Sequence, residues 1–334
     1  MSVDLGKPAL EDEGLEYHRI YRSGRQGWGW YAGGIVSMVA LFLVVNAVVV
    51  TLGAIVVLFV TGTTVDTLAD DLTALVDTKN VTPGVLLFIN LVIVLAIPSA
   101  WFCARVFHGI KPRWLSSVAP RIRWKWLAAS FGIALFSLVV AIVLGALLPA
   151  TGDAEDVSGK VNDFTSTTRD FLLVVVLLTP LQAIGEEYAF RGYLTQAFGG
   201  LVRDARWARY LAVLGPALLF AAAHGIGQSF PIFVDRFAFG VVAGILVIAT
   251  GGLEAGIAYH VLNNLIALGF ALTFSDMTTA LNPEGGSWLD VVVSLVKSVV
   301  FVALSIWAAR KMGLQTRTSR GVGSGVLEGP GQRV

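Results

Sequence analysis

The fold of this 334-residue chain is decided by the stretch 171-FLLVVVLLTPLQAIGEEYAFR-191, in which a long apolar run leads into two adjacent glutamates. About 20 apolar residues cross a bilayer core that is about 30 Å thick. A charge at that depth costs at least about 2.5–3.5 kcal/mol, so an ionisable residue there needs a physical reason. The stretch therefore predicts a membrane-spanning helix whose charges are either paired or functional.

The composition of the whole chain agrees with a membrane protein. Apolar residues make up 55% of the sequence and charged residues only 14%, whereas a soluble domain has about 25% charged residues. No basic stripe with interleaved aromatic residues is present, which argues against a nucleic-acid partner. Cys103 is the only cysteine, so an intrachain disulfide and a cysteine metal cluster are excluded. Residues 1–28 lack the apolar core of a signal peptide.

Further apolar runs of similar length lie on both sides of the opening stretch, and we predict about eight spans in an all-α, polytopic transmembrane bundle. The predicted spans are Trp30–Val60, Val85–Phe107, Trp126–Leu148, Phe171 to the glutamate pair, Tyr210–Ala223, Ile232–Ala249, Leu253–Phe274 and Leu289–Ala309.

The distribution of Lys and Arg predicts the orientation of this bundle. Basic residues are concentrated at both ends of the chain, after the second span and after the glutamate pair, whereas alternate loops are acidic around 66–77 and 153–163. Because cytoplasmic loops carry the excess of Lys and Arg, both termini are predicted to be cytoplasmic. We predict a multi-pass protein of the cell membrane, with a cytoplasmic segment 1–28, a bundle 29–311 and a flexible cytoplasmic tail 312–334.

The two glutamates are not equivalent on a helix. Glu187 and Arg191 are four residues apart and share one face, so their charges can neutralise each other. Glu186 is rotated by about 100° and has no such partner. A carboxylate in apolar, water-poor surroundings is suited to act as a general base near neutral pH. We therefore predict that Glu187 and Arg191 form a support pair and that Glu186 performs the chemistry.

Two later spans add histidines and an amide. His224 follows Phe220 by one helical turn, and His260 precedes Asn264 by one turn on the same face, whereas the adjacent Asn263 points elsewhere. The histidines can share protons or bind a metal ion, and Asn264 can donate a hydrogen bond to a developing oxyanion. Together with Glu186 they form a plausible hydrolytic set.

Structural explanations compete with this one. An intramembrane Glu–Arg pair can serve only to hold helices together, and a single membrane histidine is more often a packing residue. The functional interpretation gains from the fact that His18 and His108 are in predicted cytoplasmic segments, so both intramembrane histidines follow the glutamate pair. Other charges are assigned structural or interfacial positions: Lys297, Asp235, Arg236 and Glu254.

Three motifs resemble those of the CPBP family of intramembrane proteases, which includes the CAAX prenyl endopeptidase type and the Abi-like proteins. They are Glu186-Glu187-x-x-x-Arg191, Phe220-x-x-x-His224 and His260-x-x-x-Asn264. Each motif alone is weak, but their order on successive spans is specific. The resemblance covers about residues 170–270.

The resemblance implies an intramembrane endopeptidase that cuts a membrane-associated protein or peptide. Glu186 and His224 would activate water, His260 and Asn264 would stabilise the oxyanion, and Glu187, Arg191 and Phe220 would support them. Zn²⁺ held by Glu186, His224 and His260, with one open position, and a metal-free glutamate mechanism are both open. The substrate, including any need for prenylation, is also open.

A count of depths gives conflicting values for these residues. At 1.5 Å per residue, Glu186 lies about 8 Å, His260 about 10 Å and His224 about 20 Å from the predicted cytoplasmic edge. A tilt, a break at Pro180 or Pro216, or a later start of the fifth span would bring them together. We predict that the site opens towards the cytoplasmic half.

The alternative function is that of a non-enzymatic membrane scaffold or a transporter-like binding protein that uses the same polar cluster. A transporter more often has two related halves with broken helices, and the sequence has no such halves. An ion channel would need a filter-like segment, which is absent from the sequence.

Overall fold

The structure is a computed structural model that describes residues 14–148, 161–225, 228–283 and 285–319. Within these ranges the chain is helical and forms no β-strand, which confirms the predicted all-α class. The helices are α1 (Trp28–Thr61), α2 (Leu68–Leu75), α3 (Pro83–His108), α4 (Trp124–Leu147), α5 (Ser166–Leu201), α6 (Ala205–Ala223), α7 (Phe230–Thr250), α8 (Glu254–Phe274), α9 (Met277–Leu281) and α10 (Trp288–Lys311).

Seven of the helices in the described ranges are long and apolar enough to cross a membrane, namely α1, α3, α4, α5, α7, α8 and α10. They correspond to seven of the eight predicted spans, and the protein is a polytopic helical bundle. The remaining predicted span is α6, a helix of 19 residues. It is more polar than the others because Arg206 and Arg209 lie in its first turns. The orientation of the bundle and its cytoplasmic termini stay predictions.

Two of the long helices are broken near prolines. The helical hydrogen-bond pattern of α3 is interrupted at Leu95, just before Pro98. The pattern of α5 is interrupted at Leu178, just before Pro180. A proline lacks the N–H group and its ring crowds the carbonyl four residues earlier, so the helix deforms on the N-terminal side of the proline. The break expected at Pro180 is therefore present, whereas α6 continues through Pro216.

The central helix of the bundle is α5, in which every residue from Gly185 to Ala197 is buried. Its backbone passes very close to α3, because a Cβ at Gly185 would lie 2.5 Å from the carbonyl oxygen of Ile93. Just beyond this contact, Glu187–Leu194 is π-helical. Wide π turns are rare in helices and occur frequently at functional sites. The glutamate pair thus lies at the point where α5 changes from α-helical to π-helical geometry.

The described parts of the two chain ends pack against the bundle and against each other. The predicted loose N-terminal segment contains a short 3-10 helix, Tyr17–Ser23, with a buried aromatic face. It packs against the C-terminal part of α5, where a Cβ at Gly199 would lie 2.1 Å from the His18 carbonyl oxygen. The backbone N–H of Thr318 donates to the carbonyl oxygen of Leu15 at 2.9 Å, so the start of the predicted flexible tail is also fixed. Residues 1–13, 149–160 and 320–334, which include the rest of both predicted ends and part of the acidic loop, lie outside the described residues.

The start of α8 is anchored by a salt bridge. Glu254 was expected at the membrane interface, but it is fully buried. Its carboxylate accepts hydrogen bonds from Nε and Nη2 of Arg123 at 2.8 and 2.6 Å. The sequence could not indicate this pair because its members are 131 residues apart, on α8 and just before α4. The anchor fixes the helix that contains His260 and Asn264.

Candidate active site

Glu187 is held between two partners on opposite sides. Arg191 Nη1 lies 3.0 Å from Glu187 Oε1, so the contact predicted from their spacing is present. His260 Nδ1 donates to the same oxygen at 3.0 Å. A Cβ at Gly256 of α8 would lie 2.6 Å from Glu187 Oε2, so glycine is the residue that leaves room for the carboxylate. Glu187 is completely buried and joins α5 to α8.

Glu186 also contacts His260, a pairing that the sequence did not indicate, and the predicted joint role of Glu186 and His224 stays a prediction. Glu186 Oε2 lies 3.2 Å from His260 Nε2, and the Glu186 side chain is almost fully buried. The two glutamate side chains point in different directions from α5, as their adjacent positions on a helix require. One histidine can still contact both carboxylates, because its two ring nitrogens lie on opposite sides of the imidazole.

His224 follows the last residue of α6 and is exposed. Its Nδ1 lies 2.8 Å from the carbonyl oxygen of Phe220. A carbonyl only accepts, so Nδ1 is assigned as the donor and Nε2 of the neutral ring is left as an acceptor. The His224 ring packs against the ring of Phe220, which also packs near the ring of His260. His224 thus belongs to the same cluster without a direct hydrogen bond to Glu186 or His260.

Phe220 packs against Arg191 and near both histidines of the site. Its ring is buried and lies 4.5 Å from the ring of His224 and 6.0 Å from that of His260, measured between centroids. The Arg191 guanidinium is 4.2 Å above the Phe220 ring, in cation–π geometry. The aromatic ring therefore fixes Arg191 and the two histidines without adding a titratable group.

Asn264 contacts a residue that the sequence analysis did not select. Its Nδ2 donates to Oε1 of Gln182 at 3.1 Å. Gln182 is buried and lies four residues before Glu186, so both are on one face of α5. The four-residue spacing between Gln182 and Glu186 was the feature of the sequence that could have identified Gln182 as a site residue. The neighbouring Asn263 points elsewhere, as predicted, and its Oδ1 accepts from Lys297 Nζ of α10 at 2.7 Å.

The three predicted metal ligands do not form a metal site in this arrangement. Glu186 and His260 are adjacent, but no three His, Cys, Asp or Glu side chains among the described residues are grouped closely enough to hold a metal ion. Binding of Zn²⁺ therefore stays a prediction, and the proposed reaction has no step that is assigned to a metal.

An apolar cavity of about 200 Å³ is lined in part by Phe190 and Ala223, which are next in sequence to Arg191 and His224. Its walls come from α1, the π-helical part of α5 and the end of α6, including Phe42, Phe190 and Ala223. Pockets for drug-sized ligands measure about 300–1,000 Å³, whereas a cavity of about 150 Å³ holds benzene. The cavity thus has the size of one large apolar side chain.

The conflict between the predicted depths has a simple origin. The helix α5 does not end near the glutamates but continues to Leu201, and α6 starts at Ala205, earlier than predicted. Measured from the turn between them, Glu186 is about 22 Å and His224 about 28 Å along their helices. These two distances differ by about 6 Å, which is half of the predicted difference of about 12 Å. A later start of the fifth span, one of the three explanations offered for the conflict, is not observed, because α6 begins before the predicted Tyr210.

The segment that contains the site matches a known protein family. Residues 168–266 match the family model of the Type II CAAX prenyl endopeptidase Rce1-like proteins. This segment contains all three motifs, and the match confirms the resemblance to the CPBP family of intramembrane proteases predicted from them.

One relative matches over more of the chain. The uncharacterized protein YyaK of Bacillus subtilis (strain 168) is 28% identical over 242 residues, which cover 69% of this chain and 77% of the relative. No solved structure matches the chain. The matched family is one of membrane-embedded proteases, whose substrates are proteins or peptides.

Proposed function

We propose that this protein is an intramembrane endopeptidase that hydrolyses a peptide bond in a membrane-associated protein or peptide. The observation that supports it most is the buried contact of His260 with both Glu186 and Glu187, at 3.2 and 3.0 Å. Buried ionisable groups in a membrane bundle are costly, and they are functional more often than not. The matched family has the same chemistry.

The charges of the cluster suit acid–base chemistry. When ionised, Glu186 and Glu187 bear two negative charges and Arg191 one positive charge. One further proton, shared by Glu186 and His260, neutralises the cluster, which low-dielectric surroundings favour. With that proton on His260, Glu186 is a carboxylate that is able to accept a proton from water.

In the proposed reaction, Glu186 takes a proton from a water molecule while the oxygen atom of that water attacks the carbonyl carbon of the substrate. His224 accepts a hydrogen bond from this water through Nε2. The oxyanion of the tetrahedral intermediate receives a hydrogen bond from Asn264 and one from His260 Nε2, which Glu186 releases when it becomes protonated. When the C–N bond breaks, Glu186 returns the proton to the leaving amine, which gives a carboxylic acid and an amine as products.

The apolar cavity suggests which residue lies next to the cleaved bond. Ala223 in its wall directly precedes His224, and Phe190 lies between Glu187 and Arg191. A substrate that places its carbonyl at Glu186 can insert a neighbouring side chain there. We expect this side chain to be large and apolar, because the walls are almost entirely apolar and a buried polar group would lose its hydrogen bonds to water.

The proposal is tested by replacing Glu186 with Gln, which keeps the shape of the side chain and removes the base. Peptides released in native membranes are compared by mass spectrometry between the wild type and Glu186→Gln at equal protein levels. We expect fragments that appear only with the wild type, with a large apolar residue beside the cleaved bond. The loss in cleavage rate should be at least about 10³-fold.

Two outcomes would contradict parts of the proposal. Identical peptides from both proteins would exclude Glu186-dependent proteolysis and favour a scaffold or a transporter-like binder. The metal question has its own assay, in which purified protein is treated with a chelator and its metal content is measured. Full cleavage by metal-free protein would exclude the Zn²⁺ version.

A further inference from the structure

The orientation of the Asn264 carboxamide decides whether it can donate a hydrogen bond to an oxyanion. The Asn264 side chain can act on an oxyanion only if its Nδ2 group, and not its oxygen, is turned towards the reacting carbonyl. The two ends of an amide have nearly the same shape, so packing alone selects between them weakly. An acceptor placed beside Nδ2 would select the orientation that donates.

Gln182 supplies this acceptor. Its Oε1 accepts one N–H of Asn264 at 3.1 Å, and the second N–H of Asn264 is left over for another acceptor. No other hydrogen bond to the Asn264 amide is formed within the described residues. The contact joins α5 and α8, the two helices that provide Glu186 and His260.

The position of Gln182 makes this contact relevant to the reaction. Gln182 and Glu186 are one turn apart on the same face of α5, so the base and the amide acceptor move together. Gln182 has only 8% of its surface exposed, and its Nε2 group has no hydrogen-bond partner among the described residues. Asn263 provides the contrast, because its contact with Lys297 points to α10 and away from Glu186.

We infer that Gln182 is a positioning residue of the peptidase, which fixes the Asn264 carboxamide with an N–H available to the oxyanion. The inference rests on the proposed function. Because oxyanion donors act mainly in the transition state, the loss of Gln182 should lower kcat and leave KM almost unchanged.

The test is a double-mutant cycle with Gln182→Met and Asn264→Ala, measured on a quenched fluorescent peptide built from a Glu186-dependent cleavage site. Met has a similar length to Gln and no acceptor oxygen of comparable strength. We expect Gln182→Met alone to lower kcat by about 10–100-fold, with KM within about threefold. In the Asn264→Ala background the same change should have almost no further effect, because it acts through Asn264.

Two controls separate positioning from general damage to the fold. Gln182→Glu keeps an acceptor oxygen and should retain more activity than Gln182→Met. The cycle of Gln182→Met with Asn263→Ala should be additive, because Asn263 has a different partner. Additive effects of Gln182→Met and Asn264→Ala, or a change in KM alone, would overturn the inference while Glu186-dependent cleavage persists. If the wild type performs no Glu186-dependent cleavage, the proposed function itself fails and the inference fails with it.

Discussion

Two buried Arg–Glu pairs in this bundle differ in how completely they are satisfied. In the pair of Arg123 and Glu254, the two side chains are joined by two parallel hydrogen bonds, and the backbone N–H of Arg123 also donates to Glu254 at 2.9 Å. Arg123 Nη1 donates to the carbonyl oxygen of Thr250 as well. Bidentate pairs of this kind are among the strongest polar contacts in proteins. This pair fixes the start of α8.

The pair of Arg191 and Glu187 is incomplete by comparison. The charged atoms are 3.0 Å apart, yet neither terminal nitrogen of Arg191 has an aligned hydrogen bond among the described residues, and Glu187 Oε2 has none either. Glu187 uses its other oxygen for His260. Buried polar groups are normally satisfied, and exceptions are concentrated at functional sites. The difference indicates that the first pair serves the fold and the second serves the site.

The largest expected effect tests the structural pair. Glu254→Ala leaves the Arg123 charge buried without its partner, which should lower the free energy of unfolding by about 3–5 kcal/mol. Thermal unfolding in detergent, followed by the fraction of protein that remains monodisperse, measures the change. The double variant Arg123→Met, Glu254→Leu removes both charges and should recover much of the loss. A fully stable Glu254→Ala would contradict the role of this pair as an anchor.

The next prediction compares how Glu186 and Glu187 contribute to stability and to cleavage. Glu187→Gln removes the charge that faces Arg191 but keeps an oxygen that can accept from His260, so we expect a loss of about 1–3 kcal/mol in the free energy of unfolding. Glu186→Gln should change it by less than about 1 kcal/mol and abolish cleavage. The same unfolding assay on both variants makes the comparison. Equal destabilisation by the two changes would show that the glutamates do not divide their roles.

The smallest expected effect concerns the N-terminal segment, which lies outside the spans. Burial lowers the pKa of His18 from 6.5 to about 4, against an opposing contribution from Glu16. Because the folded segment disfavours the protonated ring, its docking is fully stable above about pH 6.5 and weakens as the pH falls towards 4. Between pH 7 and pH 5 the loss should be about 2 kcal/mol.

Hydrogen exchange of Tyr17–Ser23 measures this opening at the two pH values. His18→Phe keeps an aromatic ring that cannot be protonated, so it should remove the pH dependence. Exchange that is the same at both pH values in the wild type would exclude His18 as the cause, and the two Arg–Glu pairs of the bundle should be unaffected in either case.

The sequence by itself determined the class of the molecule and indicated most of the candidate site residues. Hydropathy is a local property of consecutive residues, so the long helices could be found without knowing how they pack. Helical spacing is also local, which is why the contact of Glu187 with Arg191 and the divergence of Asn263 from Asn264 were predicted. The three motifs then indicated a family resemblance that the family model supports.

Only the tertiary structure decided which residues meet across helices. His260 reaches both glutamates, Gln182 meets Asn264 and Arg123 meets Glu254 because α5, α8 and the segment before α4 pack side by side. The packing of the short helix Tyr17–Ser23 has the same origin, since it is buried by contact with α5. Such contacts join residues 73 to 131 positions apart, and no local pattern of hydropathy, spacing or charge specifies which of many similar faces will be neighbours.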